Sequence, residues 1–442
     1  MKNFLIYLLF AAGAMPLASA VDADSTPATN RVVLTSEYIS LLAEQLRTNH
    51  PGVAAADART FAAVQNLRGV RTWEDPTVRL GGMAAREPMR ADEGDLIYGV
   101  EQKLPLFGKP KLSRAIAAAE IEVARANTEY QFQLRRLEFT KHILQAGLND
   151  RLVSIDRQDL QWLETLLLTL EPRIASGQAS QLELLKAQNE KSKRTERLNT
   201  DSNHRYHEGT AMNIMLGRPD WLPWPQFELP PVGPIIRHSP EIERLALKFE
   251  PKLRMMRQEI TRAQAAAELM RRQQLPDVSA GIEARNYTGD GSFRQSMIVL
   301  SMNLPWVNRA KYRNDLSREE AKTLATQLDA TDYELTVREE IHKLLVMIDV
   351  SRRDALLFRD QIIPRTSTGL DALRASWESG RGTLNEVLEG RRMLLEAEAM
   401  YAQAVAEQYT AMAQLVLCCG LGDLQALEMV TKPNPAPPPE EK

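Results

Sequence analysis

Leu104-Pro105-Leu106-Phe107-Gly108-Lys109-Pro110-Lys111 returns 200 residues later as Leu304-Pro305-Trp306-Val307-Asn308-Arg309-Ala310-Lys311, and this recurrence decides how the chain is built. Two further landmarks keep the register. Ser176-Gly177-Gln178-Ala179-Ser180-Gln181-Leu182-Glu183-Leu184-Leu185 aligns with Ser379-Gly380-Arg381-Gly382-Thr383-Leu384-Asn385-Glu386-Val387-Leu388, and Leu216-Gly217 aligns with Cys419-Gly420. Both glycine pairs are 203 residues apart, so the two copies stay in step over most of the chain. Periods of about 20 to 50 residues belong to solenoids, whereas a period near 200 marks two large halves.

Downstream of each copy the sequence predicts a very long helix. Lys111 to Glu171 contains one glycine, Gly147, and no proline; Ala310 to Ile363 contains neither. At 1.5 Å per residue the first stretch alone is roughly 90 Å long. Apolar residues recur three, four or seven apart, as in Tyr130, Leu134, Leu137, Leu144, Leu148, Ile155, and again in Leu324, Leu328, Leu335, Ile341, Leu345, Ile348. Such spacing places helices side by side at shallow angles. Breakers at Pro172 to Gly177 and at Pro364, Gly380 and Gly382 end the long helices, and second helices return from Gln181 to His207 and from Leu384 to Leu417. Each half is therefore an antiparallel helical hairpin with a Ser-Gly-x-x-(Ser/Thr) tip.

Upstream of each long helix the texture changes. Thr77 to Arg86 and Asp95 to Leu106 flank a turn at Pro88 to Gly94; Asp277 to Tyr287 and Arg294 to Trp306 flank Thr288 to Ser292. Runs of about ten residues around turn residues predict β-hairpins, and their weak alternation suits either transmembrane barrel strands or an ordinary exposed sheet. Short helical regions precede them, Glu37 to Asn49 with Pro51 to Val70, and Glu241 to Gln274. Between the halves, a proline-rich stretch with Trp221, Trp224 and Phe227 is expected to be an ordered crossover. Residues 425–442 are expected to form a disordered tail.

The first twenty residues have one basic residue, an apolar run and Ala18-Ser19-Ala20, the layout of a cleaved export signal, which puts the mature start at Val21. No later stretch is apolar enough for a transmembrane helix. The chain is 44% hydrophobic, 26% charged and only 6% aromatic, which suits long amphipathic helices. A formal charge of −3 without a basic block argues against nucleic acid as a partner. Adjacent Cys418 and Cys419, the only cysteines, give no disulfide framework and read as small buried residues. No phosphate loop, nucleophile elbow or zinc-protease motif is present, so no enzyme, cofactor or metal site is expected. His204 with His207, and Met212 with Met215, read as surface and packing residues.

Four strands cannot close a barrel, so the chain must oligomerise if the hairpins cross a membrane. A dimer would supply eight strands, and a trimer twelve with room for an aqueous lumen.

In their order and duplication, the junction Leu104 to Lys109, the two Gly-x-x-(Ser/Thr)-x-x-Glu-(Leu/Val)-Leu tips, Asn49-His50-Pro51, His238-Ser239-Pro240 and Met215 to Pro219 resemble the TolC-type outer-membrane efflux proteins. The resemblance spans about Leu34 to Leu424. It implies an α+β membrane protein of duplicated strand-hairpin and long-helix halves, with a first efflux repeat at 21–217, a crossover at 218–237 and a second repeat at 238–424. Three copies would share a twelve-stranded β-barrel in the outer membrane, continued by a periplasmic α-helical barrel. The resemblance further implies a passive exit duct for small molecules or metal ions, working with a periplasmic adaptor (membrane fusion protein) and an inner-membrane transporter. A duct for a type I protein secretion system and a soluble periplasmic coiled-coil scaffold are the alternatives. Adaptor contact is expected at Gly177, Ser180, Glu183, Leu184, Gly380, Thr383, Glu386 and Val387. The family often has Asp where this chain has Glu183 and Glu386. Gate candidates are Arg374, Glu378, Arg381 and Glu389.

Overall fold

In the computed structural model, residues 31–83, 95–288 and 291–431 are described. The proposed export signal, the turn at 88–94 and residues 432–442 lie outside them. The first half runs β1 (Arg31–Val33), α1 (Ser36–Asn49), α2 (Pro51–Gly69), β2 (Thr77–Met83), β3 (Asp95–Lys103), α3 (Lys109–Ala175) and α4 (Gln181–Met215). After β4 (Gln226–Glu228), the second half runs α5 (Pro240–Phe249), α6 (Pro251–Gln273), β5 (Val278–Tyr287), β6 (Phe293–Met302), α7 (Arg309–Leu357), α8 (Ile363–Glu378) and α9 (Leu384–Cys418), with α10 (Leu424–Thr431) at its end.

Each half thus repeats one order: two short helices, a β-hairpin, a long helix and a returning helix. The expected single helical region from Glu241 to Gln274 is instead two helices broken at Glu250-Pro251, matching the break at His50-Pro51. Proline opens the second helix of each pair because its missing N–H costs nothing in the first turn. His50 caps α2 through Nδ1, which accepts from Gly52 N, and the Glu250 carboxylate caps α6 by accepting from Leu253 N.

The long helices end at the expected breaker stretches, but each runs through its proline first and stops at the glycine side. Pro172 lies in the last turn of α3, which continues to Ala175. Ahead of Pro364, a single π-helical turn at Phe358–Ile362 changes the hydrogen-bond spacing, and α8 carries the axis on to Glu378. A π turn absorbs the proline's missing donor without breaking the rod.

All four strands of the hairpins form one antiparallel sheet in the order β2-β3-β5-β6, so the halves are stitched together at β3–β5. A second, parallel pair joins β1 to β4 and was not foreseen. It anchors the crossover, and Phe227 of β4 packs with Leu34, Phe132, Phe139 and Ile143 in the first-half core. Asp150 fixes this corner by accepting from Phe227 N (2.8 Å) and pairing with Arg205 (2.8 Å). The second-half core gathers Ile341, Leu344, Ile348, Met412 and Leu415, and a third core near the tips contains Leu163, Leu170, Leu370, Trp377, Leu384 and Leu388. Helix α10 begins at Leu424 and runs on through 425–431, the first part of the stretch expected to be disordered, with Leu427 buried in the second-half core. No helix among the described residues is long and apolar enough to cross a membrane.

Candidate functional site

Register sorts the sheet into two chemically different faces. The pairs Val78↔Val100, Leu80↔Tyr98, Val100↔Ile282 and Ile282↔Ile298 set one apolar row across all four strands. Leu96, Ala280, Leu300 and Met302 share that face, because alternate residues on a strand point the same way. No helix among the described residues covers it: Leu80 is 79% exposed, Ile282 66%, Ile298 85% and Leu300 64%. The opposite face carries Arg79, Glu101, Glu283, Arg285, Ser279 and Ser301, with Gly81, Gly99 and Gly281 between them. Glu101 pairs with Arg79 and accepts from Ser301, and Arg285 reaches Glu283 at 3.1 Å. A free-standing sheet with one bare hydrocarbon face and one ion-paired face fits a wall between lipid and water.

The duplicated junction turns each strand into its helix. Phe107 and Gly108 both take positive φ (58° and 71°), the αL geometry that glycine adopts without cost and that phenylalanine rarely does. Lys109 then reaches back to Leu275 O (2.7 Å) and Asp277 (2.8 Å), tying the first-half junction to the second-half strand entry. Burial opposes the charge on Asp277, but Lys109 and Lys103 outweigh it and hold the carboxyl below its ordinary range.

At the far end of the hairpins, Gly177 and Gly380 occupy the αL position (φ 72° and 74°) of matching helix ends. Gly177 N donates to Ile174 O and Gln178 N to Arg173 O, while Gly380 N donates to Trp377 O and Arg381 N to Ser376 O. This is the Schellman arrangement, which satisfies the last carbonyls of a helix. The returning helices begin with full capping boxes: Ser180 with Glu183 (2.9 and 3.3 Å), Thr383 with Glu386 (2.9 and 3.4 Å). Four of the residues expected to meet an adaptor therefore have a complete structural role in starting their own helices. The Ser/Thr-x-x-Glu spacing was the legible signal for it.

The remaining tip residues divide. Leu184 is half-buried, whereas Val387 is 1% exposed and packs with Leu384 and Leu388, so Val387 is corrected from a contact residue to a core residue. The gate candidates are exposed and engaged within the second hairpin. Arg374 pairs with Glu378 (2.9 Å), Arg381 donates to Ser379 Oγ (3.4 Å), and Glu389 pairs with Arg392 (3.2 Å). Sequence reading missed the clamp between the tips, where Arg173 stacks on Trp377 (4.3 Å) and donates to the carbonyls of Trp377 and Glu378.

Higher on the hairpins, a buried ion-pair cluster joins the halves. Asp156 and Asp159, 2% and 3% exposed, both bind Arg194 (2.8 and 2.7 Å), and Arg391 of α9 reaches Asp159 at 2.9 Å. Burial pushes the Asp156 carboxyl up, with Arg194 opposing.

His204 and His207 are exposed on α4, Met212 is fully buried and Met215 partly so. Burial pushes the Cys418 and Cys419 thiols up to about 12, which makes them unreactive packing groups. Among the described residues no cluster of three or more metal-ligating side chains occurs.

The comparisons with known proteins agree with this geometry. Residues 244–421 match the family model described as outer membrane efflux protein. Over 180 residues the chain is 24% identical to the cobalt-zinc-cadmium resistance protein CzcC of Cupriavidus metallidurans, covering 40% of this chain and 41% of that protein. The chain thus matches about two fifths of that curated relative's length. In fold it is similar to the outer-membrane channel OprN (TM-score 0.75, 17% identity, 87% of this chain and 90% of the other). It is also similar to CusC, whose structures concern folding and transmembrane channel formation (TM-score 0.76, 14% identity, 88% and 93%). The resemblance drawn from the duplicated hairpins and tips is therefore borne out, as is the α+β fold of strand hairpins on long helices.

Proposed function

We propose that this protein is the outer-membrane channel of a tripartite efflux system, a passive duct and not an enzyme. The observation that carries this reading is the bare four-stranded sheet, apolar on one face and ion-paired on the other, set on helical hairpins with no membrane-spanning helix among the described residues. In water its exposed leucines and isoleucines would be an aggregation surface; in lipid they are the favourable face. The sheet also has two unpaired edges, β2 and β6, which lipid cannot satisfy. These edge strands run in opposite directions, so β6 of one copy can add antiparallel to β2 of the next. Such a head-to-tail contact closes into a ring. Three copies give about twelve strands and a water-filled lumen.

The hairpins then extend into the periplasm, and their tips are where the adaptor docks and couples the duct to an energised inner-membrane transporter. Metal ions are the favoured cargo, on the sequence similarity to a cobalt-zinc-cadmium resistance protein. A strain lacking the gene should become sensitive to cobalt, zinc or cadmium and regain resistance with the intact gene. Unchanged tolerance, with one secreted polypeptide missing from the medium, would replace this reading with type I secretion. Release of the protein without detergent would leave only a periplasmic scaffold.

A further inference from the structure

The strand-to-helix junctions carry a charge pattern that runs against helix electrostatics. Helix N-termini are positive and normally attract acidic side chains in the first turn. Neither α3 nor α7 has an acid there; both instead open with cations at duplicated positions, Lys109 and Lys111 in one, Arg309 and Lys311 in the other. The register of the strands brings both helix starts to the same end of the sheet, because Lys103 pairs with Ser279 and Val278 with Met302. The C-terminal ends of α2 and α6 lie beside α3 and α7 roughly 16 Å along from those starts. Asn66 bonds Glu120 of α3 (3.1 Å), and Arg271 pairs with Glu320 of α7 (3.2 Å).

The acids of this region are already occupied. Lys109 and Lys103 hold Asp277, Lys103 also holds Glu74, and Arg318 holds Asp315 and Glu319. Arg68, Lys111, Arg114, Arg309, Lys311 and Arg313 are left exposed, with no ion pair among the described residues. Beside them stand exposed aromatic and apolar side chains: Trp73 (53%), Phe107 (43%), Trp306 (57%) and Val307 (70%). Leu304 and Trp306 follow directly after the end of the lipid-facing row Ile298, Leu300, Met302, and both are exposed. Aromatic groups bordering an apolar band, backed by cations, match the boundary between hydrocarbon and headgroups.

We propose that this collar binds the phosphates of anionic phospholipids in the periplasm-facing leaflet, fixing the depth of the duct in the membrane. The inference rests on the channel reading above. Lys111, Arg309 and Lys311 stand in the first turns of α3 and α7, where the positive end of the helix dipole calls for an anion, and a lipid phosphate is the anion that the membrane supplies at that height.

The test uses the full-length protein in nanodiscs of equal phosphatidylglycerol and phosphatidylcholine, with the lipids in its annulus counted by mass spectrometry. Wild type should enrich phosphatidylglycerol severalfold, since a cation near an anionic surface favours it by roughly fivefold. Replacing all six cations by Gln should bring the ratio to about one, whereas a set of Lys↔Arg exchanges should keep it. Equal retention of both lipids by wild type, or undiminished enrichment in the Gln variant, would overturn the proposal. Loss of enrichment on adding millimolar inorganic phosphate would overturn it too, by showing sites for free phosphate. Heat-resistant oligomers on a gel separate the two levels of inference: oligomers without enrichment defeat the collar alone, and a wild type that never inserts defeats the channel reading beneath it.

Discussion

The two tips share one local code and bury it differently. Both have an αL glycine, a Schellman end and a Ser/Thr-Glu capping box. Yet the second tip buries Leu384, Val387, Leu388 and Trp377, while the first leaves Leu182 (59%) and Leu185 (48%) in the open. The second is also held by Arg173 of the first hairpin, which covers Trp377 and the last carbonyls of α8. Duplicated sequence fixes the turn; the neighbours decide whether the residues beyond it become core or contact surface. On this comparison the first tip is the more exposed of the two and the second the more deeply packed.

The largest effect expected is at Trp377. Trp377→Ala removes a buried aromatic and should cost about 3 to 5 kcal/mol of local stability, read as faster hydrogen exchange over α8 and the start of α9. Leu182→Ala with Leu185→Ala should leave exchange almost unchanged and yet weaken cross-linking to the adaptor. Equal loss of protection in the two variants would break the comparison.

Gly380→Leu comes next. Its Cβ would meet nothing within 4 Å, so the cost is the left-handed backbone, about 1 to 2 kcal/mol. Heat-resistant trimers should still form in the outer membrane, while adaptor cross-linking and resistance fall. Disappearance of the trimers would assign the glycine to folding instead. Ser180→Ala and Thr383→Ala should each lower stability by about 1 kcal/mol; a larger loss at Thr383, measured by denaturant melts, would show that burial amplifies the cap.

The smallest effect contrasts two histidines 200 residues apart. His142 binds Glu208 (2.6 Å), and that hydrogen bond raises its pKa above the ordinary 6.5. Its partner at position 342 contacts the His238 ring (6.5 Å between centroids). Because the folded value lies above the unfolded one, the His142 contribution is complete below about pH 6.5 and is lost as pH rises through the raised value. Melting temperature should therefore decline over that window in wild type and flatten in His142→Gln. A flat profile in wild type would remove His142 from the account.

Long periodic elements were readable from sequence because their signal accumulates over dozens of residues, as in Lys109–Ala175 and Leu384–Cys418. The tips were readable because glycine and capping residues act locally. What escaped depends on partners far along the chain. Three-residue β1 and β4 have no periodicity to detect, and their pairing spans the whole first half. The π turn before Pro364 is a backbone adjustment with no residue signature. Val387 and Leu184 occupy equivalent positions, so only packing against Leu370 and Trp377 separates them. The two-faced sheet became visible only when register joined four weakly alternating strands. The Asp159–Arg391 pair likewise joins residues that nothing in their local sequence connects.

The β3–β5 seam has a consequence for the order of events in biosynthesis. Asp95 to Lys103 emerges long before its partner Ser279 to Tyr287, with the whole of the first helical hairpin and the crossover between them. Closing so large a loop carries its entropy cost before any strand contact repays it, and pairings of this kind are slow. Helices α3 and α4 can condense as soon as they are made, but the sheet has to wait for the second half. Until then the first apolar hairpin, β2 with β3, stands with open edges on a growing chain, the form that chaperones are needed to protect. Membrane entry is thereby tied to completion of the polypeptide: a chain cut short in the crossover has long rods and no wall.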